Sequence, residues 1–219
     1  MLSIIIPTFN NLNYLKLCLK SIEKNSKYYH EIIIHINDGS DGTLDFIKNK
    51  KIKYTFSKTN IGLCSSINTA VSLSVNKYIL YCHDDMYFCP GWDEALKKEI
   101  DIIKHDYFYL SGIMIQNKNG HINYDCGDTF ENFDEEKLLN NYKSINCINQ
   151  QGSHFAPHVT SKNLWNIVNG FSEEFNPGIG SDPDFNMKLW RCGVRIFKGI
   201  NTFKVYHFGS ITTRKKKGF

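Results

Sequence analysis

Apolar and polar positions follow two alternating rhythms along the first part of the chain. Ser3-Ile4-Ile5-Ile6-Pro7 is a continuous run rich in β-branched residues, the pattern of a strand buried on both faces, and proline closes it. Residues 11–25 then place Leu12, Leu15, Leu19 and Ile22 at spacings of three and four, one stripe of an amphipathic helix. The alternation repeats. Ile32-Ile33-Ile34-His35-Ile36 predicts a second buried strand, stopped by the turn cluster Asn37-Asp38-Gly39-Ser40. Asp41 or Thr43 can cap a helix through Lys48, residues 51–56 predict a third strand, and residues 61–75 a third helix. Tyr78-Ile79-Leu80-Tyr81 is a fourth strand and ends at His83-Asp84-Asp85.

Strands alternating with helices of this length imply right-handed crossovers and an α/β fold with a mostly parallel sheet. Polar clusters follow the first, second and fourth strands: Thr8 to Asn11, Asn37 to Asp41, and His83 to Asp85. Ligands of open α/β sheets bind beyond the carboxyl ends of the strands, so the three clusters should meet in one crevice. Further along, residues 92–104 and 182–192 predict helices, and 107–115, 194–198 and 203–208 predict strands. Residues 117–151 are polar and turn-rich with no clear period, either an excursion or a long surface loop. No internal repeat or linker divides the chain, so one domain over 1–219 is expected.

Composition narrows the class. A chain of 219 residues with 42% apolar and 14% aromatic content can bury one core and is not a disordered polymer. Seven cysteines in odd number, without a CxxC pair, read as reduced thiols of a cytoplasmic protein rather than a disulfide framework or zinc site. No apolar run reaches the length of a membrane span, and the run ending at Pro7 is too short for a signal peptide. Any membrane contact is therefore expected to be peripheral. The net charge of +4 is concentrated in part in Arg214-Lys215-Lys216-Lys217, within a basic tail at 211–219. Such a tail is either a solvated end or a contact for anionic lipid. Nothing matches a nucleic-acid-binding module.

Three clusters can carry chemistry. Asp84-Asp85, at a strand end, suits a hard cation such as Mn²⁺ or Mg²⁺, which takes oxygen ligands and neutralises a diphosphate; alone, the pair also reads as a solvated turn. In Gly180-Ser181-Asp182-Pro183-Asp184, an aspartate could accept a hydroxyl proton, or could simply sit near the positive end of a helix dipole. His207, in Val205-Tyr206-His207-Phe208, is either a hydrogen-bonded core residue or a ligand.

Order and context sharpen these readings. Ser3-Ile4-Ile5-Ile6-Pro7-Thr8-Phe9-Asn10, Asn37-Asp38-Gly39-Ser40-Asp41-Gly42-Thr43, Asn60-Ile61-Gly62 with Asn68, and His83-Asp84-Asp85 together resemble the N-terminal half of the family 2 glycosyltransferases. The resemblance continues through Asn169-Gly170-Phe171-Ser172-Glu173-Glu174-Phe175, Gly180-Ser181-Asp182-Pro183-Asp184 and Tyr206-His207-Phe208-Gly209. It spans nearly the whole chain apart from about 116–151.

The resemblance implies a GT-A fold, a Rossmann-like sheet flanked by helices with a mixed C-terminal extension. It implies transfer of a sugar from a nucleotide-diphosphate donor of UDP, GDP or dTDP type to an acceptor hydroxyl, with inversion. About 1–90 would bind the nucleotide and about 91–210 the acceptor, a glycan, lipid-linked or protein group. By similarity, Pro7, Thr8, Phe9, Asn10, Asp38, Asn60, Gly62 and Asn68 would line the donor pocket, with Asp38 on the base. His83-Asp84-Asp85 stands where the family carries its DxD motif, so Asp85 would hold the metal and Asp84 would face the ribose or sugar. Histidine replaces the motif's first acid, and His207 matches a C-terminal histidine able to supply the missing ligand. Asp182 matches the proposed catalytic base, although Ser181 replaces the acid that usually precedes it. Asp184, His154 and Trp165 are expected on the acceptor side, Trp165 as a stacking surface; His158 falls in the same region, and Trp190 is expected to be buried mid-helix. Two alternatives remain open at this level: a non-catalytic sugar-nucleotide or glycan-binding module, and a sugar nucleotidyltransferase. The second usually has a glycine-rich loop after the first strand, and Pro7-Thr8-Phe9-Asn10-Asn11 contains no glycine.

Overall fold

Strand β1 (Leu2–Phe9) is buried along nearly its whole length because it pairs on both sides, with β2 (Glu31–Asn37) and β4 (Tyr78–Tyr81), both parallel. The computed structural model describes residues 1–152 and 155–209. Helix α1 (Leu12–Asn25) turns Leu15, Cys18, Leu19 and Ile22 inward, the stripe expected from spacing. Helix α2 (Thr43–Lys50), strand β3 (Lys53–Ser57) and helix α3 (Leu63–Val71) complete the parallel half. Helix α3 is shorter than its apolar pattern predicts. Gly62 precedes it with φ +88°, a left-handed conformation, and a Cβ there would strike the Asn176 side chain.

The second half departs from a parallel sheet. After β5 (Met86–Phe88), α4 (Trp92–Ile103) and β6 (Phe108–Gln116) come the short β7 (Ile122–Asn123), α5 (Glu135–Asn141), β8 (Gln150–Gln151), β9 (His158–Ser161) and α6 (Lys162–Ile167). A 3-10 turn at Glu173–Phe175 leads to α7 (Ser181–Arg191) and β10 (Ile196–His207). Among the described residues the strands form one mixed sheet in the order β3-β2-β1-β4-β9-β6-β10-β5, with β7 on β6 and β8 on β10. Strand β9 is antiparallel to both β4 and β6, which carries the sheet from its parallel half to its extension. The two strands expected over 194–208 are one, β10, whose pairing with β6 shifts register between Gly199 and Lys204.

Residues 117–151 are more than a surface loop. Cys126, Leu138 and Tyr142 pack with Tyr14, Tyr87, Ile115, Tyr206 and Phe208 into a second apolar cluster beside the main core. Lys204, buried on β10, donates from Nζ to the Tyr142 and Ile145 carbonyls at 2.7 and 2.6 Å and fixes this excursion to the sheet. All seven cysteines are free thiols. Among the described residues no helix is long and apolar enough to cross a membrane. His154 and the basic tail lie outside the described residues.

Candidate active site

The polar clusters meet where the topology requires, beyond the carboxyl ends of β1, β2 and β4. At the end of β1, Thr8 Oγ1 donates to Asp84 Oδ2 at 2.6 Å and Asn11 Nδ2 donates to Asp84 Oδ1 at 3.0 Å. Burial, then the charge of neighbouring Asp85, pushes the Asp84 carboxyl well above the usual range. Asn10 Nδ2 donates to Asp38 Oδ2 at 2.8 Å, and both residues have positive φ, 46° and 62°. Two neighbouring non-glycine residues held in the left-handed region and bonded to each other make a preset loop pair. Pro7 and Phe9 continue β1, paired with His35 and Asn37. Asn37 supports the same rim, donating to Ser66 Oγ at 2.9 Å and accepting from the Ile61 amide at 3.0 Å. Asn60 accepts from the Gly62 amide at 2.9 Å, a local turn that sets the approach to α3.

The acid and histidine cluster is assembled by an antiparallel ladder. Strand β5 pairs with β10 so that Met86 faces His207, and the Phe208 amide donates to the Asp85 carbonyl at 3.1 Å. The register sets Asp85 beside His207, with His207 Nε2 3.1 Å and His83 Nδ1 3.8 Å from Asp85 Oδ1. His83 Nδ1 lies 3.4 Å from His207 Nε2. One atom from each of His83, Asp85 and His207 falls within a 4.8 Å cluster, a spacing able to hold a metal ion. Gln116, at the end of β6, contacts His207 Nδ1 through its amide and orients the ring from behind. Burial and then the adjacent His207 ring hold His83 below the usual histidine range, which keeps its lone pair available as a ligand. Both histidines are thus brought to Asp85, where sequence alone left the choice between them open.

Asp182 is the second residue of α7, after Gly180 in the left-handed conformation. Burial lifts its carboxyl from the ordinary 3.8 to about 7. Oδ1 has no hydrogen-bond partner among the described residues and faces His158 Nε2 at 3.8 Å. His158 is level with Tyr81, the last residue of β4, so this pair stands at the same sheet end as the cation cluster. Its position was marked by sequence; its proximity to Asp182 was not, because 23 intervening residues conceal the contact.

Three expectations need correction. Trp165 is 5% exposed and packs on Phe171 and Phe185, so it offers no ring face to a sugar. Trp190 has the reverse fate: it is 49% exposed, and the Arg195 guanidinium lies 4.0 Å over its ring. Asn68 does not present its amide to a pocket. It donates to the Phe171 carbonyl and accepts from the Phe171 amide, both at 2.9 Å, which holds the Asn169-Gly170-Phe171 loop on α3. Asp184 accepts from Ser172 Oγ at 2.7 Å and ties the same loop to α7.

A Rossmann-like sheet with a mixed extension, an acidic crevice at its carboxyl end and a carboxylate–histidine cluster on the last strand pair is the GT-A architecture of nucleotide-sugar enzymes. The chain belongs to glycosyl transferase family 2, whose family model matches residues 3–159. Over its full length it is 29% identical to a hyaluronan synthase of Pasteurella multocida, covering 22% of that protein. It is 25% identical to a chondroitin synthase of Escherichia coli over 94% of this chain and 34% of the relative. The chain therefore spans about a fifth to a third of the length of these relatives. Among solved structures, S. aureus TarS 1-349 in complex with UDP superposes with a TM-score of 0.71 at 17% identity, over 94% of this chain and 59% of that one. GalNAc-T7 with UDP, GalNAc and Mn²⁺ superposes with a TM-score of 0.72 at 14% identity, over 94% and 43%. At such identities the likeness establishes the fold.

Proposed function

We propose that the chain transfers a sugar from a UDP-sugar to a hydroxyl of a growing glycan, with inversion at the anomeric carbon. The strongest support is the meeting of the His83, Asp85 and His207 cluster with Asp84, Thr8 and Asp182 at one sheet end. UDP in the TarS and GalNAc-T7 structures favours uracil over guanine or thymine, and the hyaluronan and chondroitin synthases favour a glycan acceptor.

The donor set fits a divalent cation. One carboxylate and two imidazoles match the borderline character of Mn²⁺ better than Mg²⁺, which prefers an all-oxygen shell. A bound cation would supply positive charge against the diphosphate. Asn10 and Asp38 would hold the uracil end, and Asp84, anchored by Thr8 and Asn11, would meet the ribose or sugar. Asp182 would accept the proton of the acceptor hydroxyl as its oxygen forms the new bond to the anomeric carbon. The bond from that carbon to the diphosphate breaks at the same time, and its electron pair leaves with the phosphate oxygen. A base near pH 7 suits this task, since it is ionised at neutral pH yet basic enough to accept a proton.

The test is a thermal-shift panel of UDP, GDP and dTDP, each with and without Mn²⁺, on wild type and Asp85→Ala. A nucleotide at a hundred times its Kd adds about 2.7 kcal/mol, a Tm rise of roughly 5–10 °C for a chain of this size. A Mn²⁺-dependent rise with UDP, lost in Asp85→Ala, is expected. No rise with any nucleotide would count against the transferase reading and in favour of a glycan-binding module.

A further inference from the structure

His158 is a buried, chemistry-bearing side chain that the mechanism above leaves unused. Strand β9 wedges it between β4 and β6, in register with Tyr81 on one side and Ser111 on the other, and it is 1% exposed. The rings of Tyr81, Tyr109, Phe171 and Phe185 surround the imidazole at centroid distances of 5.2, 4.7, 6.0 and 5.6 Å. Such a cage fixes the plane of the ring and leaves it little rotational freedom.

The cage supplies no hydrogen bond. Among the described residues, neither His158 nitrogen nor Asp182 Oδ1 has a hydrogen-bond partner, and Nε2 faces Oδ1 across 3.8 Å. Buried polar atoms left unpaired are uncommon and call for an explanation. Here the two are complementary, an imidazole N–H and a carboxylate oxygen, and a movement of under about 1 Å brings them to bonding distance. Catalytic contacts are commonly long before substrate arrives and tighten in the reacting complex.

We propose that His158 is a positioning residue for Asp182: its neutral imidazole donates Nε2–H to Oδ1 and aims Oδ2 at the acceptor hydroxyl. The inference rests on Asp182 being the base. The acceptor proton passes to Oδ2 while the imidazole keeps its own, so His158 neither gains nor loses a proton in the step. Burial, with the neighbouring His83, holds its basicity down to about 3, so it donates without adding a charge. The other titratable groups around the pair are Tyr81 on β4, Tyr109 on β6, Cys64 on α3 and His83 beyond β4. Burial raises the two phenols and the thiol, so none of these three changes charge near neutral pH.

The experiment combines NMR with turnover. Imidazole ¹⁵N shifts of wild-type His158, assigned by their loss in folded His158→Gln, should report the neutral Nε2–H tautomer; the Nδ1–H tautomer would overturn the proposal. The Asp182 carboxyl ¹³C signal, assigned by its loss in Asp182→Asn, should titrate about one pH unit higher in His158→Phe. In His158→Gln, whose side-chain amide restores a donor, it should return toward wild type. UDP release from UDP-GlcNAc with Mn²⁺ should show the acidic limb of kcat moving by the same amount, with about a fivefold fall in kcat at pH 7 and an unchanged donor KM. An unmoved Asp182 titration in folded His158→Phe removes the role of His158 alone, provided Asp182→Asn is inactive. Turnover retained in Asp182→Asn removes the base assignment, and the positioning role falls with it.

Discussion

Asp182→Asn should make the metal-free protein harder to unfold above neutral pH, and the size of the gain follows from burial. The Asp182 side chain is 18% exposed, and loss of water lifts its carboxyl from 3.8 to about 7. Between those values the folded chain holds a proton that the unfolded chain releases. The stabilising contribution is therefore complete below about pH 4, declines as pH rises, and is gone above about pH 8. From pH 5 to pH 8 the wild type loses about 2.6 kcal/mol through this one group. Asparagine does not titrate, and the titration of Asp84 is present in both proteins and cancels. Urea unfolding in EDTA, followed by tryptophan fluorescence from pH 5 to pH 8, measures the difference. The variant's advantage should grow by about 2.6 kcal/mol across the range, near 1 M in urea midpoint. Parallel curves would refute the reasoning, because Asp182 would then ionise in the folded chain as an exposed aspartate does. The expected outcome joins lost turnover to gained stability, the signature of a group retained for chemistry.

Two further expectations follow from packing. Trp165→Ala should cost about 3–5 kcal/mol in urea unfolding, as for other buried tryptophans, while the UDP-induced thermal shift persists; a cost under about 1 kcal/mol would contradict its burial. Lys204→Met removes the donor to the buried Tyr142 carbonyl, at about 1–3 kcal/mol, and to the partly buried Ile145 carbonyl, and hydrogen exchange in α5 should accelerate before that in β1. Unchanged exchange in α5 would mean that the excursion does not depend on this lysine.

The parallel half was legible because its strands are buried on both faces, which forces continuous runs such as Ile4-Ile5-Ile6 and Ile32-Ile33-Ile34. The extension was harder to read. Strands β5 and β9 are three and four residues long, too short to show a period, and β9 reads His-Val-Thr-Ser with no apolar run. The excursion holds its aromatic residues at irregular intervals because they fill a cluster rather than a helix face. Trp165 and Trp190 exchanged fates for a geometric reason. Helix α7 turns Phe185, Asn186 and Leu189 inward, which leaves Trp190 at the margin, while Trp165 fits between Phe171 and Phe185. Within the site, Asp38, Asp84, Asp85 and His207 could be singled out by motif order. Asn11 belonged to the first polar cluster, but its bond to Asp84, like the contacts of Gln116 and His158, was hidden because each depends on which strands become neighbours.

The ladder that sets Asp85 beside His207 joins positions more than 120 residues apart, since His83 and His207 are separated by 124. Strand β10 is also the last in sequence of the described strands, yet it lies inside the sheet, between β6 and β5. During vectorial synthesis the cluster of His83, Asp85 and His207 cannot be complete until β10 has emerged. On the proposed reading, metal capture would report completion of this strand pair: ribosome-bound chains truncated ahead of Ile196 would lack His207 and should fail to retain Mn²⁺.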